Sequence, residues 1–85
     1  MPNKRYVKGY NKERKLVNEA REEGCLAFRS AGSHSPVDVF ILDREKRVIR
    51  LVQCKSDNLS EAAKNKLLRE LSQFRGAYWV DIEVR

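Results

Sequence analysis

Three residues near the middle of the chain, Asp38, Gln53 and Lys55, are the first whose types and spacing point to chemistry. Residues 37–42 and 48–55 are rich in β-branched and apolar side chains, and the charged stretch Asp43-Arg44-Glu45-Lys46-Arg47 between them reads as a turn. Folding the segment about Arg44 to Arg47 sets Asp43 against Val48, Phe40 against Leu51 and Asp38 against Gln53 in an antiparallel pair. Lys55 follows Gln53 by two positions and so shares its face. That face otherwise holds Phe40, Leu42, Ile49 and Leu51, while Val37, Val39, Ile41, Val52 and Cys54 make up the other. Both are mostly apolar, the pattern of a sheet covered on each side. A carboxylate, an amide and an ammonium at one end of such a face are costly unless they have partners. The ordinary structural alternative is an ion pair of Asp38 with Lys55 beside a satisfied amide, an arrangement that stabilises poorly when buried.

Two further features lean toward the same place. Positions 13, 16, 17 and 20 form one helical stripe, and Glu13 is the charged member among Leu16, Val17 and Ala20. A carboxylate there can face the sheet, or it can simply suit the positive end of a helix. The segment Arg29-Ser30-Ala31-Gly32-Ser33-His34-Ser35 combines a guanidinium with small hydroxylated residues. Those groups, with backbone N–H donors, are the ones that contact phosphate. Arg29 is the chief candidate, assisted by Ser30 and Ser33, with His34 within reach. The loop leads directly into Asp38, so a phosphate held by it would lie beside the candidate site. Taken alone it is an ordinary flexible turn.

The elements that must position these groups follow from pattern and punctuation. Residues 1–10 carry Lys4, Arg5 and Lys8 with Tyr6 and Tyr10 and read as a basic arm. Asn11 can cap a helix that ends at Gly24. Cys25 to Phe28 is a short strand candidate, the segments 37–42 and 48–55 are two more, and Asn58 with Glu61 forms a capping box for a second helix. That helix repeats apolar residues at Ala63, Leu67, Leu71 and Phe74 and stops at Gly76. Tyr78, Val80, Ile82 and Val84 alternate with Trp79, Asp81 and Glu83 as a half-buried strand, in which Tyr78 and Trp79 are core or interface aromatics. The order is α-β-β-β-α-β, an α/β domain with a mixed central sheet flanked by helices, occupying residues 1–85 as one unit.

Composition narrows the partner. Eighteen Lys and Arg against twelve Asp and Glu leave a net charge of +6 on 85 residues, which favours a polyanion, most simply nucleic acid. The basic residues Lys4, Arg5, Lys8, Lys12 and Arg14 suit a duplex backbone, the alternative being a solvated run of charge. No apolar run approaches the roughly 20 residues that span a bilayer, and the first residues lead into charge rather than into a signal core. One His and two separated Cys exclude the usual tetrahedral zinc site. Cys25 and Cys54 read as core thiols in a reducing, cytoplasmic setting.

Asp38, then Gln53-Cys54-Lys55 after a hairpin, with Glu13 upstream, resembles the PD-(D/E)xK nuclease superfamily. More narrowly, Lys12-Glu13-Arg14-Lys15-Leu16-Val17, Phe28-Arg29-Ser30-Ala31-Gly32-Ser33 and Val37-Asp38-Val39 resemble the archaeal Holliday junction resolvases. Gln53 stands where the acidic residue before the lysine is usual, a QxK variant. The resemblance implies a restriction-endonuclease-like core and hydrolysis of DNA phosphodiester bonds with Mg²⁺, for which Mn²⁺ can substitute. It implies as metal ligands Asp38, the Gln53 side-chain carbonyl and the Cys54 backbone carbonyl, with Glu13 acting through water or completing the shell. Lys55 would orient the attacking water. The implied partner is branched DNA, a four-way junction first, and the implied assembly a homodimer, because such a junction is two-fold symmetric. The alternatives are a non-catalytic nucleic-acid-binding module on the same scaffold and a nicking or flap nuclease of the virus-type replication and repair class.

Overall fold

The computed structural model describes residues 4–30, 35–54 and 58–85, residues 4–10 through their backbone alone. Helix α1 spans Lys4–Glu22, strands β1, β2 and β3 span Leu26–Arg29, Val39–Asp43 and Val48–Val52, and helix α2 spans Glu61–Ser72. The three strands form one antiparallel sheet in the order β1-β2-β3.

Helix α1 begins seven residues before Asn11, so residues 4–10 form its first turns rather than an arm. The sequence carries the reason: Tyr6, Tyr10, Glu13, Val17 and Ala20 follow one another at three and four residues, extending the stripe back past Asn11. The helix stops where expected. Gly24 has φ +87°, its N–H donates to the Arg21 carbonyl at 3.0 Å, and the Cys25 N–H donates to the Ala20 carbonyl at 3.0 Å. This pair of bonds is a Schellman motif, which needs a left-handed residue at Gly24. Cys25 then packs beside Ala20 on the core.

Strands β2 and β3 pair in the expected register, Asp43 opposite Val48 and Phe40 opposite Leu51. The Asp43 Oδ1 accepts the Lys46 N–H at 2.9 Å, and Arg47 closes the turn at φ +58°. Strand β1 pairs with the other side of β2, Ala27 opposite Ile41 and Arg29 opposite Val39. Val17 and Ala20 of α1 pack on Ala27, Val39 and Ile41, and these five residues are the buried core. Leu16, Cys25, Val52 and Cys54 surround them.

Three expectations are corrected. The sheet is purely antiparallel rather than mixed, and α1 covers one of its faces. On the other face Phe28 and Phe40 stack with ring centroids 4.9 Å apart, while Leu26, Phe28 and Ile49 stay about half exposed. Helix α2 has no buried residue and stands across a groove from α1 and β3. Its cap is Ser60, not Asn58: the Ser60 Oγ accepts the Ala63 N–H at 3.2 Å, and Glu61 opens the first turn. Last, residues 77–85 form no strand. An alternating sequence becomes a strand only where a neighbouring edge takes its backbone groups. This segment has no ladder partner among the described residues, and Trp79, 94% exposed, and Val84, 98% exposed, are not part of the core of this chain.

Candidate active site

The end of the sheet where β1 finishes and β2 begins is held together through Asp38. Its carbonyl accepts the Ser30 N–H at 3.0 Å, extending the β1–β2 pairing by one residue, and its own N–H donates to the Val52 carbonyl at 2.9 Å. The carboxylate Oδ2 accepts the Cys54 N–H at 2.8 Å. Asp38 therefore ties all three strands at one end, and its half-buried carboxylate accepts a backbone donor there. The ladder itself stops at Val39 opposite Val52, one pair short of Asp38 and Gln53.

Glu13 approaches the same end from α1. Its Oε2 accepts from the Arg29 Nε at 2.9 Å, with the Glu13 side chain 18% and the Arg29 side chain 32% exposed. Arg29 lies opposite Val39, the β2 residue that follows Asp38, so the ion pair borders the Asp38 backbone. Cys54 registers the convergence. Burial pushes its thiol pKa up, the Glu13 and Asp38 carboxylates push it further, and Lys12 partly offsets them. Lys12, Glu13, Asp38 and Cys54 thus share one electrostatic neighbourhood, although they come from residues 12 to 54. Gln53 is half-buried and, with Lys12 and Cys54, lines the groove of about 960 Å³ toward α2.

The expected site residues divide accordingly. The structure brings Glu13, Arg29, Ser30, Asp38 and Cys54 together, with Lys12 and Gln53 alongside. Arg14 is exposed on α1. Lys55, Ser33 and His34, and the side chains of Lys4, Arg5 and Lys8, lie outside the described residues. What the sequence reading missed is that Glu13 and Arg29 are each other's partner. It treated one as a metal ligand and the other as a phosphate contact.

The donor set can be tested against a divalent ion. Among the described residues no three His, Cys, Asp or Glu side chains form a metal-holding group. One carboxylate, Asp38, stands beside the neutral oxygens available from Gln53 and the Cys54 backbone. That poverty of charge fits Mg²⁺, which commonly takes one or two protein carboxylates and completes its shell with water and substrate phosphate. It does not fit a tight, all-protein cage.

The family model described as archaeal Holliday junction resolvase (Hjc) matches residues 4–84. The chain belongs to the archaeal Holliday junction resolvase family. No curated protein and no solved structure matches it. The order α-β-β-β-α agrees with the restriction-endonuclease-like α/β fold of the Hjc family. No helix among the described residues is long and apolar enough to cross a membrane.

Proposed function

We propose that this chain is a Mg²⁺-dependent, structure-selective endodeoxyribonuclease that cuts branched DNA, four-way junctions first. Membership of the resolvase family gives the reaction class. The observation that carries the site assignment is the Asp38 carboxylate, fixed by the Cys54 N–H at the sheet end that Glu13 also approaches.

In this reading Asp38, the Gln53 amide oxygen and the Cys54 carbonyl would hold Mg²⁺, with Glu13 acting through water or completing the shell. When bound, the ion supplies Lewis-acid polarisation of the phosphate and a lowered pKa for the attacking water. Lys55 orients that water and offsets phosphate charge. Arg29 acts as the phosphate contact, with Glu13 setting the angle of its guanidinium, and Ser30, Ser33 and His34 flank it. Lys4, Arg5, Lys8, Lys12 and Arg14 follow the duplex backbone, so binding weakens steeply with salt. The chain works as a homodimer, since a two-fold junction asks for two matched cuts. The half-exposed Leu26, Phe28 and Ile49 offer apolar surface for a seam. Sedimentation of the DNA complex tests this, two chains per junction being expected and one chain contradicting it.

A second reading is a binding module without catalysis. Gln53 favours it, because an amide in place of an acid leaves the site one negative charge poorer. Incubation with labelled four-way junction, flap and plain duplex, with Mg²⁺, Mn²⁺ or chelator, separates the two. Metal-dependent cutting of the junction supports the nuclease, and binding without cutting under every condition supports the module.

A further inference from the structure

Helix α1 carries two kinds of cation. On one side Lys15 pairs with Glu19 at 4.0 Å. On another, Arg14, Asn18 and Arg21 stand at i, i+4 and i+7, so they share a flank. With Val17 and Arg29 they line an open depression of about 480 Å³ between α1 and β1. At the helical spacings that would neutralise this flank there is no acid. The residues three and four positions from Arg14 are Tyr10, Asn11, Val17 and Asn18, and those around Arg21 are Val17, Asn18, Gly24 and Cys25. Among the described residues neither arginine has a carboxylate within 4.0 Å, and Arg29, which also lines the depression, is paired with Glu13. Arg21 is also preset: its Nε donates to the Ala27 carbonyl at 3.1 Å, which fixes the guanidinium against β1. A guanidinium anchored through Nε keeps its terminal N–H groups for a further acceptor.

We propose that Arg21 and Asn18, together with Arg14, form a phosphate-binding strip that holds the DNA backbone as it leaves the catalytic end of the sheet. Three observations select a polymer over a small anion. The strip is a line of about 10 Å, seven residues at roughly 1.5 Å rise each. It is open rather than enclosed. It joins the candidate active site through Arg29, whose neighbour Ser30 is bonded to Asp38. Arg21 is therefore a positioning residue: it sets where the duplex arm lies and takes no part in the chemistry. The inference rests on the nuclease reading above, because it needs a DNA substrate at the Asp38 end.

The test is the affinity of the full chain for a labelled four-way junction, in chelator so that nothing is cut, measured across a range of salt for wild type, Arg21→Gln and Arg21→Lys. Loss of one phosphate contact lowers the slope of log K against log salt by about 0.9. The wild-type advantage over Arg21→Gln should therefore shrink roughly 3.5-fold between about 50 and 200 mM salt. Arg21→Lys, which keeps the charge, should retain the wild-type slope. An unchanged slope for Arg21→Gln overturns the strip, as does Arg21→Lys behaving like Arg21→Gln, which would assign the effect to the lost Ala27 bond. Failure of the wild-type chain to bind the junction at all would instead remove the nuclease reading itself.

Discussion

Replacing Asp38 separates its structural duty from its chemical one. The structural duty is acceptance of the Cys54 N–H at 2.8 Å. Asp38→Ala leaves that half-buried donor without its acceptor, which costs about 1–2 kcal/mol. For a domain of this size, 1 kcal/mol corresponds to a Tm change of roughly 4–8 °C. Asp38→Asn keeps a carbonyl oxygen at the same position and loses the charge assistance, so its cost should stay under about 1 kcal/mol. A chain of this length has on the order of 4–13 kcal/mol of stability, so both variants remain folded. Both should nevertheless lose junction cleavage, because an amide or a methyl group cannot supply the anionic oxygen the metal needs. The assays are thermal denaturation by circular dichroism and cleavage of a labelled four-way junction with Mg²⁺. Asp38→Asn cutting at the wild-type rate would refute the catalytic assignment, and Asp38→Ala melting with Asp38→Asn and wild type would refute the hydrogen-bond argument.

Other outcomes follow from the same geometry. The Cys54 thiol is held above its ordinary pKa by burial, Glu13 and Asp38, so the folded state disfavours the thiolate. Its contribution to stability is complete below the unfolded thiol value of about 8.5 and is lost as pH rises through the folded value. Cys54→Ala should flatten the alkaline fall in stability seen by denaturant titration, and an unaltered pH profile would count against this. Gly24→Ala meets no atom within 4 Å, so its cost is the left-handed backbone alone, about 1 kcal/mol; a cost of several kcal/mol would mean that something other than the backbone angle is disturbed. With a single firm carboxylate, free Mg²⁺ should bind weakly until DNA phosphate completes the shell. Calorimetry finding tight Mg²⁺ binding without DNA would contradict that donor set.

Local pattern carried the hairpin. Asp43 opposite Val48 and Phe40 opposite Leu51 follow from a charged four-residue turn between two β-branched runs, and period-two alternation puts Val39 and Ile41 on one buried face. The same pattern set Asp38 opposite Gln53 as a further pair, whereas the ladder ends one pair short, at Val39 opposite Val52. The pattern did not disclose that Asp38 is fixed by the Cys54 N–H, because a side-chain bond to backbone outside a ladder has no periodic signature. Glu13 was legible as a charge on an apolar stripe, yet its partner Arg29 lies sixteen residues away on another element, and only folding brings them to 2.9 Å. The start of α1 was misplaced because Asn11 is a good cap in isolation, while the stripe continues through it. The segment 78–84 shows the converse. Its alternation is genuine, but strand formation depends on an edge supplied by something else, and a sequence pattern does not specify the partner.

In the proposed function the Asp38 end of the sheet is a centre that breaks the DNA backbone with a divalent ion. The direct measurement is incubation of the wild-type chain with an end-labelled four-way junction, with Mg²⁺ and with chelator, resolved on a denaturing gel. Discrete strand cuts near the branch point with Mg²⁺, absent with chelator, are the predicted result. An intact junction in the presence of Mg²⁺ and of Mn²⁺, while the protein demonstrably binds it, would contradict the account and leave a binding module in its place.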